Sequence, residues 1–281
     1  MKIAVYSRDK RVVSNPRFVS MVETLKSRSF EFYEIHSGAD LHEGTDMVIS
    51  VGGDGTFLSA SKRVGKSGIP VLGINMGRLG FLSEYSPEEA CEALLDGSFS
   101  LENRELLETG IEGEIIGSDT SFWPYTLNEI SVLRCGAAIL GIDVSIDGNP
   151  LPTYWADGLL VSTSSGSTAY SLSVGGPICV PDSKVLIIAP IAPHNLNVRP
   201  LVVPDTTRIS ISMRSRDDKV TMSMDNRNLV LQSSARIDVK VAQFSLKRVR
   251  LEKSSFIKAL TTKLFWGEDI RNGSEQLQDL R

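Results

Sequence analysis

The run Asp46-Met47-Val48-Ile49-Ser50-Val51 is short, β-branched and apolar, and it ends in Gly52-Gly53-Asp54-Gly55-Thr56. A run of this kind suits a strand buried in a parallel sheet, and Thr56 onward reads as the start of a helix. The glycines therefore sit on a strand-to-helix turn. There the first helical N–H groups lack intrahelical partners, and residues without a Cβ let a bulky anion approach them. A phosphate fits such a turn, but a carboxylate beside a phosphate is repulsive, so Asp54 needs a reason of its own. Three roles are open. It accepts a proton from an attacking hydroxyl, it helps hold a phosphate-bound metal, or it caps the helix from an Asp-Gly turn.

The flanking sequence places this turn in a βαβ pattern. Ile3 to Tyr6 reads as a strand, and Asn15-Pro16 as a cap with proline at the first helical position. Phe18, Met21, Val22 and Leu25 then lay an apolar stripe along a helix. Phe30 to Ile35 and Ile69 to Ile74 read as further strands. The second of these runs into a glycine-rich loop, Asn75-Met76-Gly77-Arg78-Leu79-Gly80-Phe81-Leu82. Ligands of open α/β sheets bind beyond the carboxyl ends of the strands, so this loop and the Asp54 turn are expected to face one crevice. Arg78 is then either a phosphate partner or a solvated surface arginine. Ser86-Pro87-Glu88-Glu89 carries capping-box spacing, Cys91, Leu94 and Leu95 form a stripe, and Gly97 is placed to end the helix.

Near residue 100 the periodicity changes. Ile142, Val144 and Ile146 alternate with polar residues, as do Ile209, Ile211 and Met213, then Val220, Met222 and Met224, then Ile237, Val239 and Val241. A sustained period of two predicts an antiparallel sandwich. The expected fold is an α/β, Rossmann-like N-terminal unit with a parallel sheet, at 1–100, followed by a mostly antiparallel β-sandwich at 101–251. Phe256, Leu260 and Leu264 are spaced for a short helix, and the segment 252–281 is expected to return to the first unit.

Composition narrows the function. The 281 residues carry a formal net charge of −4 without a Lys/Arg cluster, which argues against a nucleic-acid partner. Cys91, Cys135 and Cys179 are far apart, with no metal-ligand spacing, and read as reduced thiols. Met1 to Tyr6 is too short for a signal peptide, and no apolar run approaches the roughly 20 residues of a membrane span, so a cytoplasmic protein with no membrane partner is expected.

Two stretches of the second unit look chemical. In Thr126-Leu127-Asn128-Glu129-Ile130 an amide and a carboxylate are adjacent, and in a regular strand they point to opposite faces unless the backbone bends. The other runs from Trp155-Ala156-Asp157-Gly158 through an apolar strand to Ser164-Ser165-Gly166-Ser167, with a helix expected over Thr168 to Ser173. Such a loop offers N–H and hydroxyl donors to a nucleotide, with Tyr170 adding a flat face. A Ser/Gly linker is the alternative, and the tightly patterned apolar flanks weaken it. Asp225 falls in a turn whose chemistry accounts for it, and His194 reads as a polar loop residue.

In this order the motifs closely resemble the NAD kinase family over nearly the whole chain. The likeness rests on Gly52 to Thr56, the Asn75 to Leu82 loop, Asn128-Glu129, Asp157-Gly158 with Ser165 to Tyr170, and Pro193-His194-Asn195-Leu196 leading to Arg199-Pro200. The first motif is shared with diacylglycerol kinases, sphingosine kinases and phosphofructokinases; the later pair is far more specific. The resemblance implies phosphoryl transfer from ATP, or from polyphosphate in some members, to the adenosine-ribose 2'-hydroxyl of NAD, giving NADP. It also implies a divalent cation, Mg²⁺ with ATP, accompanying the donor, and a homodimer or homotetramer formed through the β domain.

By the same resemblance Asp54 is the general base, and Gly52, Gly53, Gly55, Thr56 and Arg78 shape the donor-phosphate site. Asn128 and Glu129 hold the adenosine half of NAD. Thr168, Ala169 and Tyr170 form the adenine pocket, with Ser171, Leu172 and Ser173 continuing the NAD-binding segment. Asp157 lies near the nicotinamide, and Asp54, Gly55, Phe81, Ser165 and Ala192 line the NAD pocket. Three departures stand out. Ser164 replaces a common proline, which is expected to loosen the loop. Trp155-Ala156 replaces Arg-Gly and removes a cation, and Asp225-Asn226-Arg227 replaces Asp-Gly-Gln. A lipid kinase and a non-catalytic dinucleotide-binding module are the other readings.

Overall fold

The structure is a computed structural model that describes residues 1–77, 80–118, 121–252 and 254–266. Its first sheet runs in the order Glu31–Glu34, Lys2–Tyr6, Met47–Val51, Val71–Ile74, Leu246–Leu251 and Phe99–Arg104. All neighbouring pairs are parallel except the last, which is antiparallel. Alternation along each strand sends Ile3, Val5 and Ile49 to one face and Ala4, Tyr6 and Val48 to the other. Helices cover both faces, which is why every residue of Met47–Val51 is buried. Pro16–Lys26 and Pro87–Asp96 pack on one side through Phe18, Met21, Leu25, Ala90 and Leu94. The helix Asp54–Val64 covers the other through Phe57, Ala60 and Val64.

The caps follow the sequence. The Asn15 side chain accepts from Arg17 N–H ahead of Pro16, Ser86 and Glu89 form both bonds of a capping box, and Gly97 ends its helix with φ 70°. One stripe residue differs, because Leu95 is 40% exposed while Ala90 and Ala93 take the buried positions. The helix after the glycine turn begins at Asp54, two residues before the expected start.

Two seven-stranded sheets form the sandwich. One is ordered Asn149–Pro150, Leu140–Ile146, Ile209–Arg214, Arg236–Val241, Leu107–Glu112, Tyr125–Thr126, with Tyr154–Ala156 pairing beside Leu140–Ile146. The other runs Leu201–Pro204, Val185–Ile191, Gly158–Thr163, Glu129–Arg134, Lys219–Met224, Arg227–Gln232, Ile115–Ser118. Every pairing within them is antiparallel, and Ile142, Val144, Ile211, Met222 and Val239 meet in one core between the sheets. Sheet membership also puts Phe99–Arg104 and Leu246–Leu251 in the first sheet, because each bonds to the other along its length. The chain thus rejoins the α/β unit six residues ahead of the expected 252, and the helix Phe256–Leu264 follows.

Candidate functional site

Two elements bring the Asp54 carboxylate into place. The buried strand Met47–Val51 ends at Gly52, whose φ of 144° strains any side chain and whose missing Cβ would lie 2.5 Å from Thr56 Oγ1. Thr56 and Phe57 N–H both donate to the Gly53 carbonyl. The N–H groups of Gly53, Asp54 and Gly55 therefore open the helix without helical acceptors. An added Cβ at Gly53 meets nothing within 4 Å, and one at Gly55 comes 3.6 Å from the Arg8 guanidinium. Space, N–H donors and a cation thus meet at the turn, as phosphate requires. Arg78, the cation expected there, lies outside the described residues.

The Asp54 side chain does not cap its own helix. It reaches across to the second loop, where Oδ2 accepts from Phe81 N–H at 2.9 Å and Oδ1 from Leu82 and Ser83 N–H at 3.0 and 2.9 Å. The two loops therefore face each other, as the strand-end argument anticipates. Glycines make the approach possible: a Cβ at Gly80 would fall 1.9 Å from Asp54 Oδ1, and one at Gly73 would fall 2.6 Å from the Leu82 carbonyl. Buried Asn75 shapes the loop from within, donating to the Ser83 carbonyl at 3.1 Å and accepting from Gly77 N–H at 2.6 Å.

Asn128 and Glu129 do not share one regular strand, so the opposite-faces rule does not govern the pair. Tyr125–Thr126 belongs to one sheet and Glu129–Arg134 to the other, so Leu127-Asn128 is the crossing between them. Asp225 sets that crossing: with φ 53° at its hairpin turn, its carboxylate accepts from Leu127 and Asn128 N–H at 2.9 and 2.8 Å, and its own N–H bonds to the Glu129 carbonyl. Asn128 and Glu129 are 7% and 8% exposed, and Asn128 Oδ1 and Glu129 Oε2 find no hydrogen-bond partner among the described residues. Orphaned acceptors in a buried site call for a ligand that donates to them. Burial, aided by the Asp225 charge and opposed by a bond from Tyr170 N–H, pushes the Glu129 carboxyl up to about 8.

The hydroxyl-rich loop closes over this pair. Gly166 is seated where a Cβ would come 2.3 Å from the Asn128 carbonyl. The expected single helix is instead a 3₁₀ turn, Ser165–Thr168, followed by a four-residue helix, Tyr170–Ser173, with Ser171 buried, Leu172 half-buried and Ser173 exposed. Ser164 stands where the family often has proline. It is buried, and its hydroxyl donates to the Pro181 carbonyl at 2.8 Å, while Ser167 bonds both backbone groups of Cys179. Ser165 and Thr168 share a cavity of about 300 Å³ with Phe81, Arg104, Arg248 and Phe256. Asn226 ties the halves again, its amide donating to the Gly55 carbonyl and Ser59 Oγ, each at 3.1 Å.

Asp157 and Ala192 are not brought to this cavity. They flank the start of the strand Gly158–Thr163, where Gly158 pairs with Leu133 and Ile191, whereas Ser162 pairs with Glu129. Four strand residues separate the two ends, roughly 13 Å. Asp157 bonds the guanidinium of Arg134, on the neighbouring strand, at 2.6 Å. Arg227 is a structural residue, buried and donating to the Trp123 and Tyr125 carbonyls at 2.6 Å. Sequence reasoning undervalued Asp225 and passed over Lys263, whose ammonium donates to the Gly80 carbonyl. The turn composition hid the first, and nothing in the spacing signalled the second.

Residues 6–97 match the family model of the ATP-NAD kinase N-terminal domain, and residues 127–251 that of the ATP-NAD kinase C-terminal domain. The chain is 44% identical to an NAD kinase of Bacteroides fragilis over 230 residues, 80% of this chain and 78% of that one. It is 39% identical to an NAD kinase of Flavobacterium psychrophilum over 266 residues, 93% and 90% of the two chains. Among solved structures, an NAD kinase from Archaeoglobus fulgidus in complex with ATP superimposes with a TM-score of 0.76 at 26% identity, covering 94% of this chain and 99% of that one. Yeast NADH kinase complexed with NADH shares the fold, with a TM-score of 0.83 at 22% identity over 98% and 90% of the two chains.

Proposed function

The chain belongs to the NAD kinase family, and from that premise we propose that it transfers a phosphoryl group from ATP, or from inorganic polyphosphate, to the 2'-hydroxyl of the adenosine ribose of NAD, giving NADP. The observation that carries the site assignment is the Asp54 carboxylate, held by three N–H donors beside a glycine turn. In this reading the ribose hydroxyl gives its proton to Asp54 as its oxygen attacks the terminal phosphorus, and the bond from that phosphorus to the bridging oxygen breaks. ADP, or polyphosphate shortened by one unit, leaves. Each carboxylate oxygen can accept two hydrogen bonds. Oδ2 takes one N–H and keeps an acceptor position for the hydroxyl, whereas Oδ1 takes two.

The remaining candidates divide by unit. The α/β unit supplies the donor turn, with Gly52, Gly53, Gly55 and Thr56. The sandwich supplies the adenosine pocket, where Asn128 Oδ1 and the Glu129 carboxyl meet ribose hydroxyls, and Thr168 to Ser173 together with Ser165 and Phe81 enclose the base. Asp157 and Ala192 serve the nicotinamide end. Among the described residues no three metal-ligating side chains converge. A Mg²⁺ ion fits this site as one carried in on the donor phosphates with few protein ligands, and it would neutralise charge on the transferred group. Exposed Leu196, Leu201 and Val202, along and beside the sandwich's edge strand, support a homodimer or homotetramer. A monomer by light scattering would remove that assignment.

The test is NADP formation by the purified protein with NAD, ATP and Mg²⁺, read through an NADP-specific dehydrogenase. Asp54→Asn should bind NAD and lose turnover, since such bases contribute about 10²- to 10⁴-fold. An equally active Asp54→Asn protein would overturn the base assignment. NAD binding without turnover on any donor would overturn the kinase reading in favour of a dinucleotide-binding module.

A further inference from the structure

The loop that holds Asp54 is gripped from behind at three consecutive residues by the returning C-terminal chain. Arg248, 3% exposed on the strand Leu246–Leu251, donates to the Leu82 carbonyl at 3.3 Å. Phe256, at the start of the helix Phe256–Leu264, sets its ring 6.3 Å from that of Phe81. Near the other end of that helix Lys263 turns inward, donates from its ammonium to the Gly80 carbonyl, and sits 4.7 Å from the Phe81 ring centroid.

The last contact reaches the reacting carboxylate through one covalent unit. The Gly80 carbonyl and the Phe81 N–H are the two ends of a single planar trans peptide group, and they point in opposite directions. The Phe81 N–H is the donor on Asp54 Oδ2, at 2.9 Å. A cation on the oxygen and a carboxylate on the N–H align with the dipole of the peptide between them, and a chain of such bonds strengthens each member. We propose that Lys263 is a positioning residue for phosphoryl transfer, holding and polarising the Gly80–Phe81 peptide so that Asp54 Oδ2 stays aimed at the acceptor hydroxyl. This rests on the reading of Asp54 as the base.

The surroundings fit a placed charge better than a stray one. A lysine near a helix end ordinarily extends its ammonium into water. Here burial pulls the Lys263 pKa down, while Glu84 and Asp54 push it up and Arg248 opposes them. Glu89, Glu92 and Glu252, with Lys258, line the cavity beside it. Arg248 is itself neutralised by Glu84 at 2.9 Å and Glu102 at 2.7 Å, which leaves the Lys263 ammonium to face the loop carbonyl.

Steady-state kinetics of the full chain with NAD, ATP and Mg²⁺ test this through Lys263→Met and Lys263→Arg. Loss of a charged hydrogen bond that acts only in the transition state should lower kcat about tenfold in Lys263→Met with both KM values within about twofold. Lys263→Arg should recover most of the loss. Unchanged kcat, or a raised KM at wild-type kcat, overturns the proposal, as does an equal loss in both variants accompanied by an equal fall in Tm. If Lys263→Met does not fold, Lys263→Gln keeps a donor without the charge and gives the same reading. Asp54→Asn separates the two hypotheses: full activity there sinks the base itself, whereas an inactive Asp54→Asn beside a fully active Lys263→Met sinks only the role of Lys263.

Discussion

Gly80→Ala is the most informative single change outside the reacting group. The added methyl carbon would lie 1.9 Å from Asp54 Oδ1, 2.4 Å from its Cγ and 2.7 Å from Oδ2, so either carboxylate or loop must move by more than 1 Å. Gly80 has no left-handed φ, so alanine brings steric conflict without backbone strain. Arg248 and Lys263 hold the loop from behind, which directs the displacement into the bonds from Phe81, Leu82 and Ser83. Bonds to a charged acceptor are worth about 1.5–3 kcal/mol each, and water at this half-exposed carboxylate replaces part of what is lost. A net loss of about 2–4 kcal/mol corresponds to a fall in kcat of roughly 30- to 1,000-fold. NAD affinity should fall by much less than kcat, because Asn128, Glu129 and Tyr170 lie on the other unit and only Phe81 moves with the loop, and a loss concentrated in kcat marks transition-state stabilisation. The coupled NADP assay with NAD titration measures both quantities. A Gly80→Ala protein with at least half the wild-type kcat would refute the claim that turnover depends on the carboxylate staying where its three donors hold it.

Two further outcomes follow from buried charge. The Glu129 carboxyl stands at about 8, so the folded chain binds its proton more tightly than the unfolded chain does. Stability should therefore fall as pH rises from about 4.5 toward 8, by up to about 1.4 kcal/mol per pH unit, and Glu129→Gln should flatten that limb in urea denaturation at pH 5 and 8.5. Identical slopes in the two proteins would show that Glu129 does not carry the dependence. Arg248→Met strands Glu84 without its cation, leaves Glu102 to Arg104 alone, and should cost about 3–5 kcal/mol in unfolding free energy. Adding Glu84→Gln should return much of it, with Glu102 kept as the partner of Arg104, and no recovery in the double variant would assign the loss to packing instead.

Local rules made much of this chain legible without coordinates. The all-apolar Met47–Val51 strand, the capping box at Ser86 and Glu89, and the alternation of Ile209, Ile211 and Met213 need only near-neighbour sterics and period, and they appear as expected. The glycine turn around Asp54 and the hydroxyl loop before Tyr170 were equally visible as candidate ligand sites. Elsewhere the deciding partner is distant in sequence. Leu246–Leu251 inserts between Val71–Ile74 and Phe99–Arg104, a pairing that no local period encodes. Asn128 and Glu129 are both buried with unpartnered acceptors where the chain passes from one sheet to the other, under a carboxylate at Asp225 almost a hundred residues away. A turn explains an aspartate at position 225 until its two N–H partners are seen.

Sequence alone determined the classes of element, the acid in the glycine turn and the family resemblance, because propensity, capping and motif spacing act within a few residues. Tertiary structure alone decided what Asp54 bonds to, that Gly80 must lack a side chain, that Asp157 lies a strand length from Glu129, and that Lys263 returns to the Asp54 loop. Those are long-range contacts, set by which strands pair and which faces pack, and each is satisfied only after the chain has closed on itself.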